Sequence, residues 1–164
     1  MTRVYAGLGS NADKEKNIPA GLKALASHFF PLATSTVYES EPLGFLGDNF
    51  YNLVIGFDTK LSVLEVLKIF KSIESSSGRM PSSHNESSKT ISHTLDIDLL
   101  LFGDLIQHDE QIEVPQHDIT QYPVVLHPLA EIAEDFEHPE TGLSFGDMWQ
   151  SFDKDRHQLN PVTL

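Results

Sequence analysis

Apolar and polar positions recur along this chain with spacings that predict most of its elements. Arg3 to Leu8 is short, apolar-rich and punctuated by Gly7 and Gly9, which predicts a strand followed by a turn at Gly9-Ser10-Asn11. Ile18, Leu22, Leu25 and Phe29 then fall at helical spacing. Pro19 is best tolerated in a first helical turn, so this helix is expected to begin near Asn17. Thr34 to Glu39 is β-branched and alternating, and Phe50 to Thr59 repeats Tyr51, Leu53, Ile55 and Phe57 at period two; both predict strands. Pro42 to Asp48 between them reads as a loop. Ser62 followed by Glu65 forms a capping-box signature. Val63, Val66, Leu67, Phe70 and Ile73 give that second helix a buried stripe, with Gly78 as its stop. Met80 to Ser92 carries five serines and no aromatic residue, and is expected to be a mobile loop. Thr94 to Phe102 is the strongest strand pattern, and helices are expected at Val124 to Ala133 and Phe145 to Phe152.

The order strand–helix–strand–strand–helix–strand predicts an α+β fold, a ferredoxin-like split βαβ sandwich with an antiparallel-rich sheet. Both helices should pack on one sheet face, leaving the other to bind a ligand. At 164 residues, 1–164 is expected to be a single domain with a core large enough to need no disulfide. The 24 acids and 11 bases give a formal charge of −13, which argues against nucleic-acid and anionic-membrane partners. No cysteine is present, which removes thiolate metal sites and thiol nucleophiles. No signal peptide or membrane span is visible, so a cytoplasmic protein is expected, taken as a monomer.

Candidate chemistry centres on Asp96 and Asp98. Two apart on a strand, they share one face, and like charges so placed repel unless a cation lies between them. Their oxygens suit Mg²⁺ bridging substrate phosphates, although an exposed polar sheet face has the same pattern. Leu95, Ile97, Leu99 and Leu101 are expected to point the other way, into the core. Glu74 falls on the apolar stripe of the second helix, where a carboxylate is either paired or ligating, or snorkels from a frayed last turn. Gly9-Ser10-Asn11 could admit a ligand against backbone, or be a plain turn. Tyr51 and Asn52 occupy opposite faces of one strand and could clamp a heterocycle, or serve as core and surface. None of the eight histidines shows a metal-site spacing; His93 stands out for preceding the acidic strand. Without a Walker loop, Gly-x-Ser-x-Gly or Gly-x-Gly-x-x-Gly, P-loop enzymes, serine hydrolases and Rossmann oxidoreductases are set aside.

Taken together, Gly9-Ser10-Asn11, Ser40-Glu41-Pro42-Leu43-Gly44, Tyr51-Asn52, Ile73-Glu74, Gly78-Arg79, Thr94-Leu95-Asp96-Ile97-Asp98, Leu101-Phe102-Gly103, Val114-Pro115 and His127-Pro128-Leu129 resemble the 6-hydroxymethyl-7,8-dihydropterin pyrophosphokinases of folate biosynthesis. The resemblance implies a transferase that moves a diphosphate from ATP to the hydroxymethyl oxygen of the pterin. It implies Asp96 and Asp98 as ligands of two Mg²⁺ ions, with Arg79 and His93 as further catalytic groups. It places Ser40, Glu41, Pro42, Leu43, Tyr51, Asn52 and Val124 around the pterin, with Tyr51 stacking on it. It places Lys71, Glu74, Leu99, Gln111, Gln116 and His117 around the nucleotide, and implies that the Met80 to Ser92 stretch closes over ATP. Several arginines usual in the family are replaced, among them by His93, Gln111 and Tyr122, and the histidine of its Val-Pro-His motif is Gln116. Each lost arginine removes a phosphate contact worth ~1.5–3 kcal/mol. His93 and His117 could substitute in part when protonated. The alternatives are a pterin-binding protein without efficient transfer, and a Mg²⁺-dependent enzyme on the same scaffold with another substrate.

Overall fold

The structure is a computed structural model and describes residues 1–42, 47–77, 94–153 and 159–164. Strand β1 (Thr2–Ser10) lies between β4 (Phe50–Thr59) and β5 (Asp96–Phe102), antiparallel to both. Beyond β4 come β3 (Val37–Ser40) and the edge strand β8 (Asn160–Val162), while β2 (Ala33–Thr34) also pairs with β4. The order β5-β1-β4-β3, with helices α1 (Lys14–His28) and α2 (Val63–Ser76) in the two crossovers, is the expected ferredoxin-like α+β arrangement. Among the described residues no helix is long and apolar enough to cross a membrane.

Strand pleating sorts β1 onto two faces. Val4, Ala6 and Leu8 pack with Leu53, Ile55, Phe57, Ile97 and Leu99 against Ile18 and Leu25 of α1 and Val66, Phe70 and Ile73 of α2. Phe29 stacks on Phe57 at 4.1 Å between ring centroids, and Phe70 meets Phe57 edge-on at 6.4 Å. The capping box at the start of α2 is present, with Glu65 N–H donating to Ser62 Oγ. Helix α1 starts earlier than its proline suggests. Asp13 O accepts from Lys16 and Asn17 N–H, and Asn17 Nδ2 donates to Ala12 O at 2.7 Å, so a full turn is secured ahead of Pro19. The strand expected over Thr34 to Glu39 is split in two, because Ser35 Oγ takes the N–H of Val54 where a ladder bond would continue. Gly78 and the Met80 to Ser92 stretch lie outside the described residues.

The opposite face is not left bare. Helices α3 (Asp118–Gln121), α4 (Pro123–Ile132) and α5 (Phe145–Ser151) follow a small hairpin of β6 (Gln107–His108) and β7 (Glu113–Val114). They cover part of that face with a second core of Ile119, Leu126, Leu129 and Phe145 on Tyr5, Val54, Leu100 and Leu101. Leu101 therefore departs from the expectation that it joins Leu99. The register shifts between Tyr5 and Ala6, so that Tyr5 faces Leu101 and Ala6 faces Leu99. Leu100 is the extra residue of this bulge, and beyond it the strand's alternation is inverted. What stays uncovered is the end of the face where β5 begins.

Candidate active site

At that end the cleft has a backbone floor. Gly9 of β1 sits between Asn52 on β4 and Asp96 on β5, and Gly7 sits between Val54 and Asp98. Residues directly opposite one another share a face, so the two glycines form a bare stripe with an amide along one side and two carboxylates along the other. A Cβ on Gly9 would come within 3.3 Å of Asn52 Oδ1, so a side chain there would crowd the amide. The resulting cleft, of about 130 Å³, is lined by these residues together with Phe50, Leu100, Gln116, Asp118, Val124 and Val125.

The acidic side is held in place from several directions. Glu74, at the last turns of α2, accepts the Ile97 N–H at 2.9 Å. Ile97 lies between the two aspartates, and this bond ties the outer edge of β5 to α2. Ser10 Oγ donates to Thr94 O at 2.5 Å, joining the end of β1 to the approach of β5. Gln116 N–H donates to Leu100 O, and its side-chain amide donates to Asp118 Oδ2 at 3.2 Å. Asp118 is a cleft-lining carboxylate that no sequence pattern singled out. His117 binds Glu113 through Nδ1 at 2.8 Å and Asp118 through Nε2 at 3.1 Å. The bond to Glu113, then the charges of Asp118 and Glu113, raise its pKa from the ordinary histidine value. Both ring nitrogens are thus engaged by carboxylates at the rim, and the residue does not line the cleft.

The opposite side carries Asn52, whose Nδ2 donates to Ser40 Oγ at 2.8 Å, and Phe50. The aromatic ring in the cleft is therefore Phe50 and not Tyr51. Period two places Phe50, Asn52 and Val54 on the cleft face and turns Tyr51 to the helix face with Leu53. That alternation was readable in the sequence; an aromatic pair at 50 and 51 needs a choice of register, and Asn52 makes it. Val124 lines the cleft. Glu41 and Pro42 are described but do not line it, and Leu43 lies outside the described residues, as do Arg79 and His93. Of the expected nucleotide residues, Lys71 is exposed on α2 and Gln111 is exposed on the β6–β7 turn. The Leu99 side chain is buried in the helix-side core, because it pairs with Ala6, so only its backbone faces the sheet edge.

Asp96 and Asp98 fit a hard cation. Both are hard oxygen donors, and their pairing with Gly9 and Gly7 puts them on one face of β5. An open pair of carboxylates suits Mg²⁺, which keeps waters and shares its remaining positions with phosphate oxygens.

Comparison with known proteins bears on this arrangement. The profile of the family described as 7,8-dihydro-6-hydroxymethylpterin-pyrophosphokinase matches residues 5–134. The chain is 32% identical to the 2-amino-4-hydroxy-6-hydroxymethyldihydropteridine pyrophosphokinase of Haemophilus influenzae, over 98% of this chain and 100% of that protein. It is 35% identical to the Pseudomonas aeruginosa protein of the same name, over 85% of this chain and 86% of the other. A 35% match to the folic acid synthesis protein FOL1 of Dictyostelium discoideum covers 83% of this chain but only 20% of that longer protein. In structure the chain is similar to Plasmodium falciparum HPPK-DHPS, solved with pteroate, with a TM-score of 0.67. There the identity is 15%, over 92% of this chain and 42% of that one, a likeness of fold.

Proposed function

The chain belongs to the 7,8-dihydro-6-hydroxymethylpterin-pyrophosphokinase family, and we propose from this that it transfers a diphosphate from ATP to 6-hydroxymethyl-7,8-dihydropterin, a step of folate synthesis. The single observation that carries the reading is the row Asn52–Gly9–Asp96. It sets a group able to recognise a heterocycle edge and a group able to hold a cation on either side of one glycine.

In this reading Phe50 stacks on the pterin, Val124 covers it, and Asn52, oriented by Ser40, bonds its edge. Asp96 and Asp98 hold magnesium, expected as two ions, and Glu74 keeps the backbone between them fixed. Bound there, magnesium supplies neutralisation of the triphosphate charge. That matters in a chain with a formal charge of −13, where the triphosphate would otherwise be repelled. The hydroxymethyl oxygen attacks the β-phosphorus, the bond to the α–β bridging oxygen breaks, AMP leaves and the hydroxyl proton is released. Phosphoryl transfers of this kind rest on alignment and charge stabilisation more than on covalent catalysis. The protein's contribution is therefore the fixed geometry of the two sides of the cleft. The reading takes the enzyme as cytoplasmic, without nucleic-acid or membrane partners.

Phosphorus NMR of a mixture of the protein, ATP, Mg²⁺ and the pterin tests it. AMP and pterin diphosphate should appear in equal amounts, and Asp98→Ala should slow their formation by about three orders of magnitude, the loss of several kcal/mol of charge stabilisation. Pterin binding without AMP would overturn the transferase reading.

A further inference from the structure

Lys14 opens α1, where the helix dipole disfavours a positive charge. Its partners explain how it is accommodated. Nζ donates to the Asn49 carbonyl at 2.8 Å, lies 3.7 Å from Glu39 Oε2 and sits 4.8 Å from the centre of the Tyr51 ring. The side chain is only 15% exposed. These partners come from two separated pieces of chain. Glu39 is in the last turn of pleat of β3, Asn49 immediately precedes β4, and Tyr51 is the second residue of β4. Lys14 thus grips both ends of the connection between the two strands.

The register shows what this grip controls. Glu39 pairs with Tyr51, and Ser40 pairs with Phe50. Glu39 and Tyr51 face Lys14, on the helix side. Their immediate neighbours Ser40, Phe50 and Asn52 face the cleft. The same short strand ends therefore present an ionic and cation–π clamp behind the sheet and the heterocycle-binding groups in front of it. We propose that Lys14 is a positioning residue for the pterin end of the site, setting the placement of Phe50, Asn52 and Ser40 without touching the ligand. This rests on the assignment of that end to the pterin.

The test compares Lys14→Met, which keeps the stem and loses the charge, with Lys14→Arg, which keeps the charge and stacks on an aromatic ring. Lys14→Met should raise the KM for the pterin about tenfold and leave that for ATP within about twofold, while Lys14→Arg stays within about threefold of wild type on both. In the substrate-free protein, the amide signals of Ser40, Phe50 and Asn52 should move in Lys14→Met, and those of Gly7 and Asp98 should not. If Lys14→Met does not fold, Glu39→Gln, which weakens one arm of the clamp, should raise the pterin KM about threefold with no change for ATP. An unchanged pterin KM in a folded variant, or equal rises for both substrates, would overturn the proposal. A wild type that neither binds nor converts the pterin overturns the functional assignment instead. The amide signals of the substrate-free protein then still decide the positioning role.

Discussion

Neighbouring residues of β1 serve opposite ends. Val4, Ala6 and Leu8 are at most 2% exposed, sealed under α1 and α2, whereas Gly7 and Gly9, one residue away, floor an open cleft. At the centre of the helix face the positions carry apolar side chains, and the aromatic rings of Phe29, Phe57 and Phe70 interlock. On the cleft face side chains are withheld from the centre, and carboxylates stand beside the gap. Glycine in a strand interior weakens the strand, and two like charges two residues apart on one face add a repulsion that the helix face does not carry. Apolar packing is continuous beneath α1 and α2 and is interrupted at the cleft end of the opposite face, with the pleat keeping the two sets of side chains apart. The two faces still communicate. Glu74 reaches the Ile97 N–H from α2, and Lys14 reaches Glu39 and Tyr51 from α1, so each side of the cleft is braced by one helix.

The sharpest break of this division is Phe70→Ala. Phe70 is 1% exposed within the ring cluster, and its truncation should lower stability by about 3–5 kcal/mol in urea unfolding. At temperatures where the variant stays folded, its kcat should match wild type. A large fall in kcat at full folding would show that the two faces are not separable.

A smaller effect distinguishes the two adjacent aromatics. Phe50→Ala should raise the pterin KM by roughly ten- to a hundredfold, the loss of about 1–3 kcal/mol of stacking. Tyr51→Phe, which keeps the ring beneath Lys14, should leave it within about twofold. The reverse result would place Tyr51 in the cleft and contradict the observed alternation of β4.

The strands and the two crossover helices were legible because period two and period 3.6 are strong signals there, and Ser62 with Glu65 marks the start of α2 to the residue. Asp96 and Asp98 were legible as a same-face pair for the same reason. Tyr51 lies on the helix face, because the pleat that turns Asn52 into the cleft turns Phe50, two residues before it, the same way. Leu101 was misplaced because a bulge depends on the partner strand and leaves no mark in β5 itself. Helices α4 and α5 were expected, but their apolar patterns do not say which sheet face they cover, and α3, β6 and β7, of four, two and two residues, are too short for any periodicity. Asp118 was missed with them: its place in the cleft comes from the turn after β7.

Central to the proposed chemistry is a cation site on the glycine-striped face between β1 and β5. Mn²⁺ added in place of Mg²⁺ with a non-hydrolysable ATP analogue tests it directly, by paramagnetic broadening of amide signals. Broadening should centre on Gly7, Gly9, Asp96 and Asp98, leave Leu25 and Phe70 sharp, and vanish in Asp96→Asn/Asp98→Asn. Broadening centred elsewhere, such as on Glu131, Glu134 and Asp135 near the end of α4, or persisting in the double variant, would contradict it.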